Sequence, residues 1–155
     1  MKSVSRAAAK LVAKWASQGL SIRPGCPPAS LAMFASRSGF VLPADLREML
    51  ELTNGSDQDD EGFQFWPLEL YESFTQQCRH AAGCPTLEDA QRYYVFCDYL
   101  DWSWAYAIRL AKPGEQGVSN RVVPIGMNQM FTVADSFSEF ADLVLVDSPR
   151  LYPPD

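Results

Sequence analysis

The chain has 155 residues, 47% hydrophobic and 21% charged, the size and balance of one globular domain; a disordered, collagenous or disulfide-scaffold chain is excluded. No apolar run approaches the roughly 18 residues a membrane-spanning helix needs, so no membrane role is expected. The net charge of −6 is uneven: residues 1–44 carry six Lys and Arg and no acid, while residues 45–155 carry all 19 Asp and Glu, an acidic body that argues against a nucleic-acid partner.

The basic opening MKSVSRAAAKLVAKWASQ reads as an amphipathic helix within an accessory N-terminal stretch, residues 1–22. Val4, Ala8, Leu11, Val12 and Trp15 share one face; Arg6, Lys10 and Lys14 form a stripe at four-residue spacing. It lacks the apolar centre and cleavage site of a secretory signal, so a helix packed on the acidic body by Trp15 is expected. Pro27-Pro28 introduce a second helix through LAMFAS, stopped by Gly39. Leu42-Pro43 introduce a third, with Leu46, Met49, Leu50 and Thr53 at helical spacing, ended by Asn54-Gly55. Asp57 to Glu61 is an acidic loop. Gly62–Leu68, with Phe63, Phe65 and Trp66, reads as a strand, and Glu69–Arg79 as a helix with Leu70, Phe74 and Gln77 on one side.

The second half changes period. Arg92–Asp98 is aromatic and β-branched and reads as a strand. Trp102–Leu110 alternates, with Trp102, Trp104, Tyr106 and Ile108 facing one way and Ser103, Ala105 and Ala107 the other. A turn near Leu100-Asp101 makes the two strands an antiparallel hairpin. Lys112–Asn120 is a polar loop, Val122–Ile125 and Met130–Val133 are short strands, and SFSEFADLVLVD is a closing helix. Ser136 and Glu139 have capping-box spacing in it, and Phe137, Phe140, Ala141 and Val144 form its core face.

The sequence carries no recognisable catalytic set. His80 is the one histidine, and no Walker, Gly-x-Gly-x-x-Gly or Gly-x-Ser-x-Gly pattern occurs. Cys78, His80, Cys84 and Cys97 are ligand-type side chains in one stretch, but they lack the paired spacing of a zinc site. Reduced thiols in a cytoplasmic protein, with no metal and no cofactor, are expected.

FVLPADLREMLELTNG, at Phe40–Gly55, resembles the opening motif of the SUKH superfamily, the Smi/Knr-type proteins: Leu-Pro, an amphipathic helix, then Asn-Gly. GFQFWPLEL resembles that family's first strand and Pro-Leu step. YVFCDYLDWSWAYAIRL resembles its central hairpin, and FTVADSFSEFADLVL its closing strand and helix. The resemblance runs from Phe40 to Leu151 and leaves the first 39 residues outside. It implies an α+β fold, a twisted, mainly antiparallel sheet of about five to six strands with helices packed around it. It also implies a non-catalytic protein-binding module, an immunity protein that neutralises a cognate toxin, as many bacterial members are. The alternative is a regulatory scaffold of the kind the fungal members provide, in the cell wall or in signalling.

For such a module the partner is expected to be a basic toxin domain, because an acidic surface accelerates its approach. Asp57, Asp59, Asp60 and Glu61, with Asp98 and Asp101 of the hairpin, are the candidate acids, read as solvated loop and turn groups. Trp102 is the candidate aromatic anchor beside them, since tryptophan is enriched at binding centres. Trp104 and Tyr106 are expected in the core.

Overall fold

The structure is a computed structural model that describes residues 2–78, 86–127 and 129–153. Its centre is β3 (Tyr93–Tyr99), the aromatic and β-branched run. One edge of β3 pairs with β4 (Trp104–Arg109), closing the expected antiparallel hairpin. The other edge is shared by β1 (Phe63–Phe65), in register Phe63 with Tyr99, and β2 (Glu72–Ser73), in register Glu72 with Val95. β5 (Val122–Ile125) pairs with β4 and completes a five-stranded antiparallel sheet in an α+β fold.

Both faces of this sheet are covered. On the larger, Phe96, Tyr106 and Ile108 pack with three helices: α1 (Lys2–Ser17), α3 (Ala44–Leu52) and α5 (Phe137–Leu145). Phe96 meets Phe140 at 5.2 Å and Phe65 meets Trp15 at 5.3 Å between ring centroids. α2 (Pro28–Ser38) adds Phe34. The smaller face holds Tyr93, Val95, Ala105, Ala107, Val123 and Ile125 beneath Phe74 of the short helix α4 (Phe74–Cys78). The small alanines of β4 lie under this helix, while the large aromatics on the other face form the main core.

The helix termini follow the sequence chemistry. Pro27-Pro28 open α2, and Gly39, at φ 79°, closes it by donating its N–H to the Ala35 carbonyl. Ser136 caps α5 through the Glu139 N–H, and Glu139 accepts from the Asp135 N–H, one residue earlier than the standard box. Gly55 is left-handed, and a Cβ there would lie 2.6 Å from the Phe65 carbonyl oxygen. Asn54 stitches the end of α3 onward by accepting from the Leu68 N–H and donating to Glu69.

Several expectations change. The strand expected over residues 62–68 is only Phe63–Phe65, because Pro67 starts a 3-10 turn at Leu68–Leu70. The expected helix 69–79 breaks, over its described residues 69–78, into that turn, β2 and α4, and it is Tyr71 that is buried while Leu70 is exposed; residue 79 lies outside the described residues. Residues 130–133 form no strand; pairing beyond β5 is one bridge, Val122 with Ala134, and Pro124 has no N–H to extend it. Cys26 and Cys97 are free and buried, but Cys78 is disulfide-bonded, which corrects the expectation of reduced thiols throughout. Among the described residues no His, Cys, Asp and Glu group has the arrangement of a metal site; His80 and Cys84 lie outside them. No helix among them is long and apolar enough to cross a membrane.

α1 is set deeply into this core. Ala8, Leu11 and Trp15 of the expected face are buried and Val12 is half-buried, joined by Ala7. Replacing Trp15 with Ala removes the ring that packs at a tilt against Phe65 under α1. The expected result is a loss of about 3–5 kcal/mol of unfolding free energy in urea denaturation; a loss below 1 kcal/mol would show that α1 is dispensable.

Candidate interaction surface at the hairpin end of the sheet

The acidic loop after α3 is built around one of its own side chains. Asp59 is 4% exposed. Its Oδ1 accepts from the backbone N–H groups of Glu61, Gly62 and Phe63 at 2.9–3.0 Å, folding the loop into the start of β1. Asp59 is thus a structural carboxylate, which corrects its reading as a solvated acid. Burial pushes its pKa up, opposed by the Phe63 and Gly62 N–H groups and by Lys14.

The last turn of α1 closes on this loop. Lys14 Nζ lies 2.8 Å from Glu61 Oε1 and 3.9 Å from Asp59 Oδ2, and donates to the Val144 carbonyl of α5 at 3.2 Å. Gln18 accepts from the Asp60 N–H at 2.9 Å and donates to Glu61 at 3.3 Å. The Lys14 ammonium holds the Glu61 carboxyl below its ordinary range. Asp57 pairs with Arg23 at 2.8 Å. Of the four loop acids only Asp60 presents an exposed carboxylate with no ion pair among the described residues.

A bulge in β3 positions the second acidic segment. Register slips between Val95 and Cys97, so Phe96 and Cys97 both face the larger core. The alternation after the bulge is inverted, which turns Asp98 toward the smaller face. There its Oδ2 accepts from the Trp66 indole N–H at 2.6 Å and its Oδ1 from the Trp102 N–H at 3.3 Å. Asp98 is 6% exposed, not a solvated turn acid, and burial raises its pKa. The turn beyond it is left-handed through three non-glycine residues: Leu100, Asp101 and Trp102, at φ 47°, 51° and 70°. That conformation costs roughly 1–2 kcal/mol per residue carrying a Cβ. It also removes Trp102 from the aromatic face of β4 and packs it, half-buried, against the smaller cluster beside Gly126.

The Leu100 N–H donates to the Gly62 carbonyl at 2.9 Å, so the acidic loop and the hairpin turn meet at one end of the sheet. Leu100, 47% exposed, and Asp101 project from the turn. Beside them stands an aromatic cluster. Tyr99 and Trp104 stack at 4.6 Å, and Tyr152 meets Tyr99 edge-on at 5.4 Å. Trp104 is half-buried, not core, while Tyr106 beneath it is fully buried and donates to the Leu151 carbonyl at 2.5 Å.

The structure therefore brings Asp59, Asp60, Glu61, Asp98, Asp101 and Trp102 to one end of the sheet, but among these only Asp60 and Asp101 are exposed acids without an ion pair among the described residues. Sequence reasoning missed Lys14 and Gln18 as the neutralising side, and Leu100, Tyr99 and Tyr152 as neighbours of the acids. The spacing of Arg6, Lys10 and Lys14 signals a basic stripe; nothing in it singles out Lys14.

Compared with known proteins, the model of the SMI1 / KNR4 family (SUKH-1) matches residues 25–143. The match spans the acidic loop, the hairpin and most of α5, and leaves α1 and Tyr152 outside. No curated protein matches the chain.

Lys14→Met tests the closure of α1 on the loop. It leaves Asp59 buried without its cation, and the expected loss is about 1–3 kcal/mol at pH 7, between exposed and buried pairs. The Glu61 part has a definite sign. A carboxyl whose folded pKa is lowered stabilises above its unfolded value, here 4.5, and that contribution disappears as pH falls through the folded pKa. The gap between Lys14→Met and the unaltered protein should shrink below about pH 4 in urea titrations; a gap independent of pH would rule out the Lys14–Glu61 pair as its source.

Proposed function

The chain belongs to the SMI1 / KNR4 family (SUKH-1), and from that premise we propose that it is a non-catalytic protein-binding module, an immunity protein that binds and neutralises a cognate bacterial toxin. Membership of the family supports protein interaction as its general role. The observation that carries the finer reading is the hairpin end of the sheet. Unpaired Asp60 and Asp101 stand there with exposed Leu100 and the half-buried rings of Tyr99, Trp104 and Tyr152. Acids at a rim with aromatic and apolar groups at the centre suit a protein surface of opposite charge.

The partner is a basic toxin domain, met in the cytoplasm and held by occupation of its working surface; no nucleic acid, membrane or cofactor takes part. Asp57, Asp59, Glu61 and Asp98 support the surface through their pairs and hydrogen bonds. Asp60 and Asp101 carry its outward charge, and Trp102 backs the turn. Steering by these acids acts on the association rate and weakens as salt screens charges beyond about 8–10 Å.

The decisive experiment co-expresses the chain with the product of the adjacent gene and scores rescue from toxicity. Absence of rescue together with absence of binding leaves the regulatory scaffold as the function. With a binding partner in hand, the double variant Asp60→Ser, Asp101→Ser should slow association roughly 3- to 10-fold at low salt. Stability should stay within about 0.5 kcal/mol per site. An association rate unaltered across a salt series would remove these two acids from the encounter.

A further inference from the structure

Residues that adopt left-handed backbone without being glycine persist only where surrounding contacts hold them. Three stand in succession at Leu100, Asp101 and Trp102. The side-chain contact to this turn's backbone from β3 comes from Asp98, beside the Leu100 N–H on the Gly62 carbonyl and the Ser103 N–H on the Tyr99 carbonyl. Asp98 Oδ1 takes the Trp102 N–H, and its Oδ2 is fixed from the far side by the Trp66 indole N–H. The Ser103 hydroxyl and N–H both donate to the Leu100 carbonyl, closing the turn on itself. The Trp102 ring lies over Gly126, where an added Cβ would come within 3.4 Å of its Cζ3. Simple alternation along β4 would place Trp102 beside Trp104 and Tyr106; the clamp keeps it on the opposite face.

We infer that Asp98 is a positioning residue: its carboxylate, anchored by Trp66, holds the left-handed turn that presents Leu100 and Asp101 to the protein partner. This rests on the protein-binding reading above and adds the chemistry the partner must offer. An exposed leucine and an unpaired carboxylate, one residue apart on a fixed turn, fit a basic side chain next to a shallow apolar depression. Arginine suits that place best, because its guanidinium reaches a carboxylate with two parallel N–H groups. Held in one conformation before contact, the pair loses little freedom on binding.

Asp98→Val removes both acceptor oxygens while keeping a side chain suited to a buried strand. In NMR spectra the amides of Ala107 and Val123 report whether the sheet stays folded. The positive-φ coupling and nuclear Overhauser pattern of Leu100–Trp102 should be lost, and exchange of the Trp102 amide should quicken at least tenfold. Retention of that pattern with unchanged exchange overturns the inference. Should this variant not fold, Asp98→Asn leaves one acceptor oxygen for two donors, so exchange of either the Trp102 amide or the Trp66 indole N–H should quicken; both unchanged overturns the inference equally.

A basic toxin domain, purified from the pair tested in the co-expression assay, is the binding probe. Affinity reduced at least tenfold by Asp98→Val, with the sheet intact, supports presentation of the turn. Undiminished affinity with the turn collapsed overturns it. No binding by the unaltered protein removes the toxin reading and the partner half of the inference, while the amide data still decide the positioning half.

Discussion

A strand buried on both faces has no solvent to satisfy a polar side chain, so any carboxylate placed on it must be met by donors from the protein itself. β3 is such a strand: from Tyr93 to Asp98 every residue is buried. The register slip at Phe96 determines which face receives the one acid. With the slip, Phe96 and Cys97 both enter the large core and Asp98 turns to the side where Trp66 and Trp102 supply N–H groups. Without it, the carboxylate would point among Tyr106, Phe137 and Phe140, an apolar region with little to pair it. The course of the hairpin, the place of Trp102 and the exposure of Leu100 all descend from that choice of face.

The same rule operates at the acidic loop. Asp59 is buried where the chain turns into β1, and three consecutive backbone N–H groups converge on one of its oxygens. The other oxygen has no hydrogen bond and faces Lys14 at 3.9 Å. The basic first helix thereby offsets charge in the acidic body at a definite place. A charge asymmetry visible along the sequence becomes a contact between α1, the loop and α5.

Much of the fold was legible. Proline before a helix, Gly39 and Gly55 after one, and Ser136 at a cap act through local backbone geometry, so they can be read without knowing what lies nearby. The hairpin was legible because β3 and β4 are adjacent in the chain and strongly patterned. The breaking of residues 68–78 into a turn, β2 and α4 was not, since β2 is two residues long and exists only because β3 leaves part of its edge unpaired. At the site, the acids were visible as residue types but not as states. Asp59 and Asp60 are neighbours of identical composition, and only the path of the backbone buries one and exposes the other. Trp102 was misplaced for a related reason: period-two reasoning assumes an unbroken strand, and the left-handed turn inverts the phase just before it.

The bulge at Phe96 gives the hairpin a parity. Each strand residue alternates between the two cores, so lengthening or shortening the stretch between Phe96 and the turn by one residue exchanges the two sides. Asp98 would enter the aromatic core and Tyr99 would leave its stack with Trp104. A change of two residues keeps every side chain on its own side and only moves the tip outward or inward. The reach of this tip is therefore free to vary across homologous chains in steps of two, and a relative that differs by a single residue there must have gained or lost a bulge to compensate.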